Sequence, residues 1–220
     1  MPVIAIVGAG PGLGIEIARA FGKKGFQVAL VARTQSKLDA LAEELGSEGI
    51  EAAGFAADIK RPDTITAAFE QITDRFGRVD VLEFSPVDQT LAAVNVLDVT
   101  LDNTAPQLEF YLGGIHAIRQ VIPGMIETKS GTILVTTGGG SIHPFPGLAN
   151  ITLAAGALRN YTLNLHEELA QHGIYVAHVG ISAWIGGGHP GAAPEVIAEA
   201  YTELYETRKE PELHYVALEN

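Results

Sequence analysis

The stretch Val3-Ile4-Ala5-Ile6-Val7-Gly8-Ala9-Gly10-Pro11-Gly12-Leu13-Gly14 decides the fold. Its first five residues form an unbroken apolar run, the pattern of a strand buried on both faces. Gly8, Gly12 and Gly14 follow, and Ile15 to Phe21 then carry apolar residues at helical spacing. Strand, glycine turn and helix in that order present free backbone N–H groups and the positive end of a helix to a phosphate. Glycine suits such a turn because it adopts φ > 0 and lets backbone approach a ligand. This context predicts a dinucleotide site, with Gly8, Gly10, Gly12, Leu13 and Gly14 as its phosphate-facing residues.

The 220 residues suit one α/β domain over 1–220, large enough to bury roughly 70% of the unfolded surface. The chain has no cysteine, which excludes a disulfide framework and a thiolate metal site, and no metal site is expected. Met1-Pro2 leads straight into the first strand without a basic leader, so no signal peptide is read and a cytoplasmic location is expected. No apolar run approaches the roughly 20 residues that span a membrane. The net charge of −12 disfavours nucleic acid and anionic membranes as partners and leaves a small molecule.

A second apolar strand runs from Phe26 to Ala32. The residue at the end of this strand faces the adenosine ribose, where a carboxylate selects a free 2′-hydroxyl. Here Ala32 is followed by Arg33, which favours a 2′-phosphate and therefore NADP(H) over NAD(H). A helix over 36–45 and a third strand over 52–57 end at Asp58-Ile59. Asp58 reads either as an acceptor for an adenine amino group or as the start of a turn. Pro62 to Phe76 is a helix, and Val79 to Phe84 a fourth strand entering Ser85-Pro86-Val87. Glu83 interrupts that apolar run, and a buried carboxylate needs a partner. No element is assigned over 88–104 beyond Asp102-Asn103-Thr104, which starts a long helix over 106–127 whose Gly113-Gly114 pair suits close backbone packing. A fifth strand (131–137), a flexible turn (138–141), a helix (148–171) and a sixth strand (175–179) follow, then a loop (184–194), a helix (194–207) and a last strand (213–217). Alternating strands and helices predict an α/β doubly wound parallel sheet with helices on both faces.

Over about residues 3–180 the chain resembles the short-chain dehydrogenase/reductase family of NAD(P)-dependent oxidoreductases. Gly8, Gly12 and Gly14 match the family's TGxxxGxG turn, with Val7 in place of its threonine. Asp58-Ile59 matches the adenine-site Asp-Val, and Asp80-Val81-Leu82 the strand before the NNAG motif, which here reads Phe84-Ser85-Pro86-Val87. Gly131 to Val135 matches the strand before the family's serine, and Ala157 to Asn160 with Leu165 to Leu169 the helix of its tyrosine and lysine. The resemblance implies a Rossmann-like fold, a cofactor held by the glycine turn with Arg33, Asp58, Ile59 and Ser85, and a carbonyl or alcohol substrate. It also implies a dimer or tetramer built on helices 106–127 and 148–171, where Ile151, Leu153, Leu158 and Leu163 fit a core or an interface equally well.

The family's active site is a tyrosine acid/base, a lysine four residues on, a serine that orients the carbonyl and often an asparagine. Those slots fall here on Ile151, Ala155, Gly138 and Phe110, none of which moves a proton. No Tyr-x-x-x-Lys falls on this helix. The substrate-covering segment, about 182–206, is also short for the family, so water exclusion calls for a partner subunit or a rearranged loop. Near the strand ends, His143 is the candidate acid/base because histidine titrates near neutrality, with Thr137 or Ser141 polarising a carbonyl. The plainer reading makes them turn caps. Two functions follow: an NADP(H)-dependent oxidoreductase working through non-standard groups, or an NADP(H)-binding sensor or partner subunit without turnover.

Overall fold

The computed structural model describes residues 1–88 and 90–218. Gln89, inside the unassigned stretch, and Glu219-Asn220, at the end of the expected 1–220 domain, lie outside the described residues. β1 (Val3–Val7) is buried throughout because its alternate residues enter different layers: Val3, Ala5 and Val7 join one core, Ile4 and Ile6 the other. The elements that follow are α1 (Leu13–Gly22), β2 (Gln27–Ala32), α2 (Gln35–Ser47), β3 (Ala52–Ala56), α3 (Pro62–Phe76) and β4 (Val81–Phe84). The second half holds α4 (Leu101–Thr128), β5 (Gly131–Gly138), α5 (Ala149–Ala170), β6 (Ile174–Ala183), α6 (Pro194–Thr207) and β7 (Glu212–Ala217).

The strands form one sheet in the order β3-β2-β1-β4-β5-β6-β7, and every neighbouring pair is parallel. The order reverses between β1 and β4, which opens the crevice where doubly wound sheets take their ligands. One face is covered by α1, α2 and α6, which bury Phe21, Leu38, Leu45 and Tyr201. The other is covered by α3, α4 and α5, which bury Ile65, Ile72, Ile118 and Leu158. The expected α/β doubly wound sheet is therefore the observed one.

Apart from shifts of one or two residues at element ends, three features refine the sequence reading, each for a local reason. α4 begins at Leu101, one residue ahead of the expected start signal Asp102-Asn103-Thr104, and is already regular before Pro106. Thr100 and Asn103 cap it reciprocally, the Asn103 N–H donating to Thr100 Oγ1 at 3.3 Å and the Thr100 N–H to Asn103 Oδ1 at 3.0 Å. That cap nucleates the first turn and leaves Pro106 inside the helix. β6 runs to Ala183 because β7 lies alongside its extension, from Val179↔Leu213 to Ala183↔Ala217. The turn expected after β5 is a single 3-10 turn over Gly139–Ser141, and Gly139 is buried.

Asn150 ties the stretch before α4 to α5. It accepts from the Val94 N–H and donates to the carbonyls of Ala92 and Asn103, each within 3.1 Å. The close packing expected at Gly113 is present: a Cβ there would lie 2.6 Å from the Ile59 carbonyl oxygen. On α5, Leu158 is core and Leu153 is half exposed. Of the segment 182–206, Ser182 and Ala183 belong to β6, the next residues form a loop with exposed Trp184, and α6 lays Ile197, Ala198 and Tyr201 on the core. No helix among the described residues is long and apolar enough to cross a membrane.

Candidate functional site: a glycine cradle between two buried polar networks

The turn between β1 and α1 is held close against the chain leaving β4. Gly8 has φ +105°, and a Cβ on it would lie 2.5 Å from Pro86 N and 2.7 Å from the Ser85 carbonyl carbon, so glycine is required on both counts. The N–H groups of Gly8 and Ala9 both donate to the Val31 carbonyl, which pins the turn to β2. Gly12 is the N-cap of α1 and offers no side chain to it. The Ile15 N–H donates to the Gly10 carbonyl at 3.1 Å, whereas the N–H groups of Gly10, Gly12, Leu13 and Gly14 have no partner among the described residues and remain open to an anion. A cradle that a single Cβ would fill, under an uncapped helix end, fits the diphosphate of a dinucleotide.

The other residues read as cofactor-binding stand around that crevice. Arg33 follows β2, is exposed and makes no ion pair among the described residues. Asp58 is half-buried, and its Oδ1 accepts the Lys60 N–H at 3.0 Å. It does form a turn, which leaves its other oxygen without a partner among the described residues. Ile59 is buried beneath Gly113. A cavity of about 650 Å³ opens at the opposite end of the sheet, between α3 and α4, and none of these residues lines it.

The sequence left Glu83 without a partner; the fold supplies two hydroxyls, with a third behind one of them. Glu83 is fully buried between Ile6 of β1 and Leu134 of β5. Its Oε2 accepts from Ser85 Oγ at 2.9 Å and its Oε1 from Thr136 Oγ1 at 3.1 Å. Thr136 is in turn 2.7 Å from the hydroxyl of Tyr201, buried on α6. Burial pushes the Glu83 carboxyl up to about 8, against the opposing pull of the Ser85 and Thr136 hydrogen bonds. Tyr201 is likewise pushed well above its ordinary value by burial.

On the opposite face of the sheet the fold brings Thr137 and Ser141 together and sets His143 apart. Thr137 Oγ1 lies 2.8 Å from Ser141 Oγ and 2.8 Å from His178 Nε2. His178 Nδ1 lies 2.9 Å from Glu212 Oε1, and Arg159 holds Glu212 with two N–H donors, one at 2.7 Å. Arg159 keeps the Glu212 carboxyl below the usual range, and burial lowers His178 to about 4. An ionised Glu212 requires the proton on Nδ1, so Nε2 is the acceptor and Thr137 donates to it at 2.8 Å, in competition with the Gly138 carbonyl 3.1 Å from the same hydroxyl. Thr137 then accepts from Ser141. The result is a directed chain, Ser141 to Thr137 to His178 to Glu212, ordered hydroxyl–imidazole–carboxylate. His143 is exposed on the turn, and its ring lies 4.8 Å from that of His214 at a tilt of 45°; His214 Nε2 lies 2.9 Å from Ser182 Oγ. Gly139 permits this closure, since a Cβ on it would meet Ser182 Oγ at 2.0 Å.

His178, Glu212, Arg159, Thr136 and Tyr201 were not singled out as site residues from the sequence. The one signal was a histidine inside the apolar run of β6, two residues past Val176 and so on the same face. The four positions that the family resemblance assigned to acid/base groups contribute no side chain to these networks. Ile151 and Ala155 are on the first two turns of α5, Gly138 ends β5, and Phe110 is buried on α4. A Tyr-x-x-x-Lys spacing does occur once in the chain, from Tyr205 to Lys209. It lies at the far end of α6, where Tyr205 packs edge-on against Phe21 and Phe26, away from the carboxyl ends of the strands. Among the described residues no group of three or more His, Asp or Glu gathers to hold a metal ion.

A doubly wound parallel sheet with an open glycine cradle at its switch point defines a dinucleotide-binding class of protein. The family can be stated as well: the model of the short chain dehydrogenase family matches residues 2–183, and the chain belongs to that family. It is 28% identical over 182 residues to the 3-oxoacyl-acyl-carrier-protein reductase of Staphylococcus epidermidis, covering 78% of this chain and 70% of that protein. It is also 28% identical over 183 residues to the very-long-chain 3-oxoacyl-CoA reductase of Aspergillus terreus, covering 78% of this chain but only 49% of that one, so it spans about half the length of that relative. The crystal structure of a single-substitution variant of actinorhodin polyketide ketoreductase with NADPH superposes with a TM-score of 0.87 at 23% identity, over 98% of this chain and 96% of that one.

Proposed function

We propose that the chain binds NADP(H) and interconverts a carbonyl and an alcohol, with the Ser141–Thr137–His178–Glu212 chain in place of the family's tyrosine and lysine. The carrying observation is an open glycine cradle at the carboxyl end of β1 together with a hydroxyl–imidazole–carboxylate chain that leads from Ser141 and Thr137, at the carboxyl end of β5, to His178 within β6 and Glu212 at the start of β7. Gly8, Gly10, Gly12, Leu13 and Gly14 hold the diphosphate, Arg33 the 2′-phosphate, and Asp58, Ile59 and Ser85 the adenosine and the mouth of the crevice. The NADPH in the actinorhodin ketoreductase structure supports NADP(H) over NAD(H).

Bound nicotinamide supplies or takes the hydride. In the oxidation direction the alcohol's proton passes to Ser141, the Ser141 proton to Thr137, and the Thr137 proton to His178 Nε2. Glu212, held by Arg159, neutralises the imidazolium that forms. Reduction runs the same chain backwards. A second copy of the chain is the expected partner in a dimer or tetramer on α4 and α5, where Leu112 and Leu153 are open to solvent. The reading without turnover is favoured by the inert residues at 138, 151, 155 and 110.

Thermal stabilisation by NADPH and by NADH tests the cofactor, since a ligand that binds the native state raises Tm with its affinity. Absorbance of NADPH over a panel of carbonyls tests the chemistry. No stabilisation by either nucleotide refutes both readings. Stabilisation by NADPH without oxidation of it on any substrate refutes turnover and leaves the sensor or partner subunit.

A further inference from the structure

Three hydroxyls and one carboxyl form a continuous line from the core under α6 to the mouth of the crevice: Tyr201, Thr136, Glu83 and Ser85. The line contains three links, and each link uses one proton. With Glu83 ionised, the protons equal the links in number: Tyr201 donates to Thr136, Thr136 to Glu83, and Ser85 to Glu83. Ser85 then points its proton inward and presents only lone pairs to the crevice. With Glu83 protonated, one proton is in excess. The line has two ends, Tyr201, which is fully buried, and Ser85, which is half-buried. The excess proton belongs at the end with somewhere to put it. Glu83 Oε2 donates to Ser85, and the Ser85 O–H turns outward.

Ser85 is well placed for its orientation to matter. It follows β4 at the switch point, and its backbone touches the place where Gly8 would carry a Cβ. We propose that Glu83 is a positioning residue which, by gaining or losing a proton, reverses the Ser85 hydroxyl between donor and acceptor toward an oxygen of the dinucleotide in the crevice. This rests on the cofactor reading given above. Burial places the carboxyl's titration near 8, inside the range where proteins work. Among the described residues the groups around Glu83 leave that titration to Glu83 itself. From β1 and β5 come Ile6 and Leu134, from α1 the inward residues are Ile15, Ile17 and Ala18, and from α6 comes Tyr201, which burial holds protonated. Glu16 and Arg19 of α1 are paired with each other at its outer side.

The test is the affinity for NADPH, by calorimetry or fluorescence, between about pH 6.5 and 9.5 at constant ionic strength. Wild type is expected to lose about tenfold in affinity through one titration near 8, the worth of one hydrogen bond to a charged oxygen. Glu83→Gln is expected to stay tight and flat, because its amide donates to Ser85 at every pH. Ser85→Ala is expected to be weak and flat. Wild type alone gives a second readout: calorimetry at about pH 8.5 in buffers of different ionisation enthalpy should show proton uptake on binding. No proton uptake, or a titration that persists in Ser85→Ala or Glu83→Gln, overturns the proposal while leaving the cofactor reading intact. Absence of NADPH binding by wild type at every pH overturns both.

Discussion

Glu83 and His178 leave opposite marks on the pH dependence of folding, and one substitution separates them. Burial lifts the Glu83 carboxyl from 4.5 to about 8. Between those values the native state holds a proton that the unfolded chain has released, so stability falls as pH rises. Burial lowers His178 from 6.5 to about 4. Between those values the unfolded chain holds the extra proton, so stability rises with pH. The two slopes cancel from about 4.5 to 6.5, and between 6.5 and about 8 only the Glu83 slope remains. At about 1.4 kcal/mol per pH unit this alkaline limb removes about 2 kcal/mol, or about 4–8 °C of Tm for a chain of this size. Glu83→Gln keeps the shape, accepts from Thr136 and donates to Ser85. Wild type should be level and then fall; the variant should rise up to about 6.5 and then stay level. Urea midpoints at about pH 5, 6.5 and 8.5 measure this directly, since a shift in midpoint at constant slope is a shift in stability. Parallel curves for the two proteins above about pH 6.5 would refute a neutral, buried Glu83.

Three further substitutions probe other parts of the structure. Thr132 Oγ1 is the buried side-chain polar atom without a partner among the described residues, so Thr132→Val should raise stability by about 1 kcal/mol in urea; an unchanged midpoint would mean that the hydroxyl is satisfied in solution. His178→Gln, or Thr137→Val, should lower kcat by about 10²–10⁴-fold while the Kd for NADPH stays level, and a Kd that moves with kcat would assign the chain a structural role only. Wild-type alcohol oxidation should hold its rate down to about pH 5, because His178 is lowered to about 4 and remains an acceptor there. Arg33→Ala should weaken NADPH about tenfold and leave NADH within about twofold; equal losses for both would remove Arg33 from the 2′-phosphate.

The framework of the fold was legible because each strand of the central sheet is a short apolar run closed by a turn signal. Val3–Val7 and Pro62–Phe76 came out at the residues that the sequence marks. What the sequence hid were boundaries set by distant partners. β6 reads as ending at Val179 until β7 lies beside it, and the first turn of α4 reads only as a start signal until Thr100 and Asn103 cap each other. The glycine cradle was visible because its constraint is local to one turn. The polar networks were not, because their members come from elements far apart in the chain: Glu83 meets Thr136 across 53 residues and His178 meets Glu212 across 34. Sequence flagged the anomaly at Glu83 and gave no means to pair it. It favoured His143 for its chemistry, whereas the fold places His178, on the neighbouring strand, within reach of Thr137.

The two networks meet on a single pair of residues. Side chains alternate along a strand, so Thr136 and Thr137 at the end of β5 point into opposite layers. Thr136 serves Glu83 and Tyr201 under α6; Thr137 serves Ser141 and His178 on the face that α5 covers. The cation of the second network lies close to the slot that the family resemblance assigns to a lysine. Arg159 lies four residues beyond Ala155 and eight beyond Ile151, on the same face of α5 and one turn further from its start. From there it reaches Glu212 on the edge strand rather than the crevice, and so acts on the acid/base chain through a carboxylate. In the family's arrangement a cation lowers the pKa of a tyrosine beside the substrate. Here the cation holds a carboxylate ionised, the carboxylate fixes the imidazole's proton on Nδ1, and Nε2 is left open to Thr137. In the proposed relay the cation therefore acts on the base through two intermediaries, the carboxylate and the tautomer it fixes. Burial still lowers His178 to about 4, so the imidazole is an unprotonated but weak acceptor whose protonated form depends on the ionised Glu212 beside it.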